Sequence, residues 1–320
     1  MNIIAADVGG TKAWFVVTDT DRPDQVLYEA RYNSRDYDGF EPLLQAFIDD
    51  SGCNNKQLAV LSLALPGVVS GEIAKLTNLP WTISKTALQD AFGVGRIHFM
   101  NDFQASALGT RQLPAQDLVV LNQGVHNNEA TCVAVGAGTG LGVSWMSSSG
   151  GEITAWSTEG GHVDFAPADD EQIGLLQFLA ERYGHVSYER VLSGDGLVAL
   201  YEFCSGGEGG AVDAAWVHAE AENKKNDAAV RAMTLFVRIY GAFVGNLALI
   251  FKPEGGIYIT GGIAAKIITW MKSDGFITSF LNKGRMRAVT EQTSVYLVTN
   301  ERVGVIGAVS EAVRQAGKLQ

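Results

Sequence analysis

The sequence predicts a mixed α/β protein built from two domains. Three observations carry this. The chain has 320 residues, more than the roughly 100–150 of a typical single domain. Through the first hundred residues or so, short β-rich runs alternate with helical periodicities, the pattern of a mixed sheet. A strand, a glycine turn and a second strand near the N-terminus return about one domain length later, which predicts two related halves.

The elements follow in chain order. Residues 2–8 and 13–19 read as strands joined by Gly9-Gly10-Thr11, and residues 25–32 as a third strand. Phe40, Leu43, Leu44, Phe47 and Ile48 fall at i, i+3, i+4, i+7 and i+8, the spacing of an amphipathic helix. Residues 57–65 form an apolar strand stopped by Pro66-Gly67. Residues 84–92 read as a helix, and the strand at 96–100 runs straight into Asn101-Asp102 and a helix over 103–111. The second half predicts strands on both sides of a turn at 136–140, helices at 170–183 and 187–203, and a glycine-rich surface loop at 205–210. A long helix spans 228–251, with Met233, Phe236, Val237, Tyr240, Phe243, Val244 and Leu247 on one stripe. Arg231, Arg238 and Asn246 interrupt it, so it is expected to be a core helix rather than a membrane span. A strand at 256–260 ends in Gly261-Gly262, a helix starts near Ile263, and a strand at 294–299 and a helix at 305–316 close the chain.

Composition excludes several functions. Apolar residues make up 47% and charged residues 18%, unlike a disordered chain. Lys and Arg total 24 against 35 Asp and Glu, a net charge of −11, so nucleic-acid binding is not expected. The three cysteines lie more than seventy residues apart without a CxxC pair, as in a reduced cytosolic protein. The start lacks a basic n-region and is not expected to be a signal peptide. Residues 130–151 carry no charge, but six glycines and several hydroxyls mark them as strands around a turn. Glycine is the outlier, 37 of 320 residues or about 12%, against an average near 7%.

Many of those glycines sit in motifs. Asp7-Val8-Gly9-Gly10-Thr11 lets backbone N–H groups approach an anion with no Cβ in the way, while Asp7 could hold Mg²⁺ through water. As an ordinary hairpin turn the same residues would mean little. The second turn, Gly136-Ala-Gly138-Thr139-Gly140-Leu-Gly142, carries more glycines than a hairpin needs. The pair points to a nucleotide held between two turns. No GxxxxGK[ST] occurs, so this is not a Walker A loop. Gly194-Asp-Gly196 matches a relaxed dinucleotide fingerprint but follows a predicted helix, not a strand, and is set aside. Asn101-Asp102 reads either as a helix N-cap or as a general base at a strand's carboxyl end. Glu159-Gly-Gly-His162-Val-Asp164 suits a polar ligand such as a sugar better than a metal, since no third ligand has useful spacing. Glu189 reads alone as half of a surface ion pair with Arg190.

Taken in order, Asp7-Val-Gly-Gly-Thr11, Met100-Asn-Asp-Phe103, Gly136-Ala-Gly-Thr-Gly-Leu-Gly142, Glu159-Gly-Gly-His-Val-Asp-Phe-Ala-Pro167 and Gly184-His-Val-Ser-Tyr-Glu-Arg-Val-Leu-Ser-Gly194 resemble the bacterial glucokinase family, and Thr260-Gly-Gly-Ile263 extends the match. The resemblance implies a two-domain actin-like ATPase (ribonuclease H-like) fold with ATP and glucose in an interdomain cleft. The small domain would take residues 1–104 and 302–320, and the large one 105–301. It implies Asp102 as catalytic base; Asn101, Asp102, Glu159, His162 and Glu189 as glucose contacts; and Asp7, Gly9, Gly10, Thr11, Gly138, Thr139, Gly261 and Gly262 around ATP, with Mg²⁺ held by Asp7 through water. It also implies a cytoplasmic homodimer. Lys12 stands where many members carry Asn. Gly-Gly-Thr-Lys and Asn78-Leu-Pro-Trp81 look more like the related repressor/open-reading-frame/kinase group, whose cysteine-rich zinc motif and N-terminal DNA-binding helices are not seen here. The expected reaction is phosphorylation of glucose at its 6-hydroxyl. The alternatives are a kinase of mannose, fructose or an N-acetyl-hexosamine, and a sugar-responsive regulator without catalysis.

Overall fold

The computed structural model describes residues 1–53, 58–150, 152–207 and 210–317. Gln57, Gly151, residues 208–209 of the glycine loop and the final residues 318–320, all of which the sequence reading assigned, lie outside them. The chain divides into two compact units, Met1–Pro114 with Arg302–Gln320, and Ala115–Glu301.

The first unit opens with β1 (Asn2–Val8), β2 (Lys12–Asp19), β3 (Arg22–Asn33), α1 (Phe40–Ser51) and β4 (Leu58–Leu65). A small antiparallel sheet that the sequence did not suggest follows, made of β5 (Gly67–Ser70), β6 (Ile73–Leu76) and β7 (Thr82–Ser84). Then come α2 (Lys85–Phe92), β8 (Arg96–Asn101) and α3 (Asp102–Thr110). The main sheet has the order β3-β2-β1-β4-β8. Its first three strands are antiparallel, and β4 and β8 run parallel to β1.

Strand alternation decides what each face of β1 meets. Ile4, Ala6 and Val8 pack with Phe40, Leu43, Leu44 and Phe47 of α1. Ile3 and Ala5 turn the other way, to Ala312 and Ala308 of the C-terminal helix Val303–Gly317. Both faces are covered, which is why β1 and β4 are apolar almost throughout. Phe15 stacks 4.9 Å from Phe47 and 6.1 Å from Phe40; each such buried side chain contributes about 1.5–3 kcal/mol. The boundary expected after residue 104 falls inside α3. The structure keeps α3 in the first unit, because it packs tightly on the C-terminal helix. Gly109 and Gly307 permit the approach: a Cβ on Gly307 would overlap the Ala105 carbonyl oxygen, and one on Gly109 that of Val303.

The second unit holds β9 (Leu118–Asn122), β10 (Cys132–Ala137), β11 (Leu141–Ser149), β12 (Glu152–Thr158), α4 (Asp170–Tyr183), α5 (Gly194–Cys204), α6 (Ala214–Glu222) and α7 (Asp227–Phe251). It continues with β13 (Ile257–Thr260), α8 (Gly262–Lys266), α9 (Ile268–Met271), α10 (Asp274–Leu281), α11 (Arg287–Gln292) and β14 (Val295–Val298). The sheet order is β12-β11-β10-β13-β14-β9. Its first five strands repeat the order and sense of the first sheet, three antiparallel and then two parallel to the central one, and β9 adds an antiparallel edge. The echo in the sequence is therefore a repeat of topology.

Helix α7 is long and apolar enough to cross a membrane by length and composition, yet its predicted stripe is buried in the core of this unit. Its buried Tyr240 hydroxyl accepts the Ala137 N–H at 3.2 Å, which fastens the helix to the end of β10. Residues 187–192 depart from the helix expected there. Only a 3₁₀ turn, Tyr188–Arg190, forms, since the Phe165 N–H donates to Val186 and the Tyr188 N–H to Val163. Those bonds take backbone groups a helix would need.

Candidate active site

In the first unit, register brings the carboxyl ends of three parallel strands level. Asp7 of β1 lies opposite Ala64 of β4, which lies opposite Met100 of β8. Asn101 ends β8 and caps α3: its side chain accepts the Phe103 N–H at 2.9 Å, and the Gln104 side chain accepts the Asn101 N–H at 3.0 Å. The cap reading of this pair is thus correct for Asn101, and it fixes Asp102 as the first residue of α3. Asp102 also accepts the Phe103 N–H at 3.0 Å. Burial raises its pKa to about 6, against the opposing pull of the Phe103 N–H, its own N–H and the Asn101 amide. Asp7 rises to about 7, chiefly through burial and then through repulsion from Asp102. Two adjacent carboxyl groups displaced this far are a signature of functional sites.

The turn between β1 and β2 is held by Gly9 N–H donating to Lys12 O at 2.8 Å and by the Ser34 hydroxyl donating to Gly9 O at 2.8 Å. A Cβ on Gly10 would stand 2.6 Å from Asn78 Cβ, so this position needs glycine. Thr11 continues the turn and is exposed. Lys12 and Thr11 border an open recess with Arg31 and Asn33.

In the second unit, Gly138 N–H donates to Gly140 O at 2.8 Å, and Gly194 N–H donates to Gly138 O at 2.9 Å. The Leu141 N–H donates to Glu189 Oε2 at 2.9 Å. Glu189 is therefore not the partner of Arg190, whose guanidinium stacks 4.3 Å from the Tyr183 ring. Its other oxygen lies 3.8 Å from His162 Nδ1, and His162 Nε2 lies 3.9 Å from Glu159. Glu159, His162 and Glu189, separated by up to thirty residues in sequence, form one cluster. Thr139 joins it across a small cavity of about 50 Å³ lined also by Glu189 and Ser193. Gly261, with φ +86°, sits against Ala137 O, where a Cβ would come within 2.7 Å. Gly262 opens α8 with free space around its Cα. Gly194 and Gly196 belong to the start of α5, with Ser193 as its N-cap, so no strand precedes them and the dinucleotide motif is void.

Three contributors escaped the sequence reading. Ser34 and Asn78 brace the first turn from distant segments, which no local pattern signals. Gly304 lies so close to Asp7 that a Cβ there would overlap its carboxylate. Its trace in the sequence is a glycine inside a helical pattern, a cost of about 1 kcal/mol relative to Ala that calls for a packing reason.

Asp164 pairs with His185 at 2.6 Å rather than with His162, and among the described residues no three His, Cys, Asp or Glu side chains converge on a metal site. Asp7, close to Asp102 and beside a turn of backbone donors, is instead a donor set that suits Mg²⁺ carried on nucleotide phosphates, which keeps several of its waters.

Two sheets that share five strands in order and sense form an actin-like ATPase fold, here of the sugar-kinase class. The comparisons give the family. The glucokinase family model matches residues 4–315. A glucokinase from Nostoc punctiforme is 34% identical, over 98% of this chain and 99% of its own. The crystal structure of a glucokinase from an Antarctic psychrotroph is 28% identical with a TM-score of 0.85, covering 98% of this chain and 99% of that one. The fold is also that of the Balamuthia mandrillaris glucokinase crystallised with glucose, at a TM-score of 0.79 and 21% identity, covering 97% and 93% of the two chains. The chain belongs to the glucokinase family, and its activity is the ATP-dependent phosphorylation of glucose.

Proposed function

We propose that this chain transfers the γ-phosphoryl group of ATP to the 6-hydroxyl of glucose. The glucose oxygen attacks phosphorus, the bond to ADP breaks, and the hydroxyl proton passes to Asp102. Asn101, Glu159, His162 and Glu189 hold the other sugar hydroxyls. Such a site discriminates strongly against analogues lacking a hydroxyl, because its own polar groups would be left unpaired. The N–H groups of Gly9, Gly10 and Thr11 and of Gly138 and Thr139 carry the phosphate charge, with Gly261 and Gly262 on the adenosine side. Asp7 would hold Mg²⁺ through water, and the ion would supply charge neutralisation at the phosphates. Catalysis is then mainly positioning and electrostatics.

One observation supports this reading most: Asp102 stands at the carboxyl end of β8 with its pKa raised to about 6, where a base still ionised at neutral pH gains proton affinity. The test is ADP release with Mg²⁺ and a panel of glucose, mannose, fructose and N-acetylglucosamine. Glucose should give much the highest kcat/KM. A higher value for another hexose would change the substrate, and sugar-dependent partner binding without ADP release would favour a regulator. We further infer a homodimer from the family resemblance, which sedimentation of the purified chain checks, and a cytoplasmic location from the free cysteines.

A further inference from the structure

The polar residues that interrupt the apolar stripe of α7 have no part in the reaction above. Arg238, Ala242 and Asn246, at i, i+4 and i+8, line a cavity of about 510 Å³ within the second unit. Its volume lies in the range of small-ligand sites. The opposite wall comes from Thr278, Ser279 and Lys283, on and just after α10.

The lining holds two cations, Arg238 and Lys283, and two carboxylates, Asp169 and Asp274, but they are not paired one to one. Arg238 is paired with Asp169 and Glu171, and Asp274 stands exposed. The half-buried Lys283 ammonium donates to Ala242 O at 2.9 Å and to Asn246 Oδ1 at 2.7 Å. Both are neutral acceptors, and among the described residues no carboxylate forms an ion pair with it. An ammonium has three N–H donors, so one remains. Burial without a counter-charge disfavours the cation, and its pKa is accordingly lowered. An anion in the cavity would satisfy both needs, and the Thr278 and Ser279 hydroxyls and Asn282 would meet hydroxyl groups on it.

A hydrogen-bonded path leads from there toward the sugar-binding residues. Asn246 Nδ2 donates to the Tyr188 hydroxyl at 3.0 Å, which also receives the Ala166 N–H. Tyr188 precedes Glu189, and Ala166 lies in the loop that carries Glu159 and His162. We propose that this cavity binds a small hydroxylated anion through Lys283, and that its occupancy adjusts the affinity for glucose by moving Tyr188 and Ala166. The glucose part rests on the site assignment proposed above; the binding part does not.

Glycerol 3-phosphate and D-glycerate share a hydroxylated three-carbon skeleton and differ in bearing a phosphate or a carboxylate, so titrating each into the full chain by calorimetry identifies the anion class. Saturable binding of at least one is expected. Lys283→Met keeps the aliphatic stem and should weaken that binding at least tenfold. Ser279→Asp adds a like charge to the wall and should do the same, which keeps the test open if one variant fails to fold. In wild type the bound anion should shift the KM for glucose at least twofold, and in the variants it should not, while their basal kcat stays near wild type. No saturable binding of either probe, or equal affinity in folded variants, overturns the site. Binding lost in the variants with glucose KM unmoved in wild type overturns only the coupling. Wild type without kinase activity for any sugar would count against the proposed function and leave the calorimetric result standing.

Discussion

Lowering the pH from 8 to 5 should reduce kcat/KM for glucose roughly tenfold. Asp102 must be ionised to accept the hydroxyl proton, and its pKa is raised to about 6. At pH 5 only about 9% of such a group is ionised, whereas an ordinary aspartate would remain about 90% or more ionised. The two cases therefore differ by an order of magnitude at a single pH. Initial rates of ADP release at saturating ATP and Mg²⁺ measure the limb, with circular dichroism at each pH to show that the fold persists. Because ATP also titrates in this region, the limb needs a direct counterpart. A carboxyl ¹³C resonance that disappears in Asp102→Asn should titrate near 6 in the ligand-free protein. A kcat/KM that stays level to pH 5 in the folded enzyme, or a resonance midpoint near 4, would refute the claim that burial has tuned this base.

Asp102→Asn should itself lower kcat by about 10²–10⁴-fold with a smaller change in glucose affinity; near-normal turnover would remove Asp102 from the role of base. Glu159 is 90% exposed, so Glu159→Ala should raise the KM for glucose with no change in melting temperature. Glu189→Ala should do both harms, since it also strands the Leu141 N–H at a cost of about 1–3 kcal/mol. Gly140→Ala places a Cβ 2.5 Å from Glu189 Oε2 and should weaken glucose binding while the KM for ATP changes little. Asp7 has a folded pKa raised to about 7, so the stability it contributes is complete below about pH 3.8 and is lost as pH rises through 7. Asp7→Asn should accordingly raise the melting temperature at pH 8 and not at pH 4, and equal shifts at both would contradict the linkage.

Most of the elements were legible in local sequence pattern, and the candidate residues were proposed from it. Periodicity located α1 and the core stripe of α7, because burial on one face imposes a repeat that local order preserves. The two glycine turns were legible because a close backbone approach excludes a side chain whatever surrounds it. How these pieces combine within each unit follows from long-range contacts. Strand register levels Asp7 with Met100, two residues before Asp102; burial raises the pKa of both carboxyl groups, and repulsion from Asp102 adds to the rise at Asp7. Backbone bonds from 163–165 to 186–188 turn an expected helix into the 3₁₀ turn that swings Glu189 away from Arg190 to Leu141 and His162. Glycines 109 and 307 draw α3 onto the C-terminal helix and move the unit boundary beyond it. Each of these depends on contacts between segments far apart in the chain, and a pattern read along one segment carries no record of the partner it will meet.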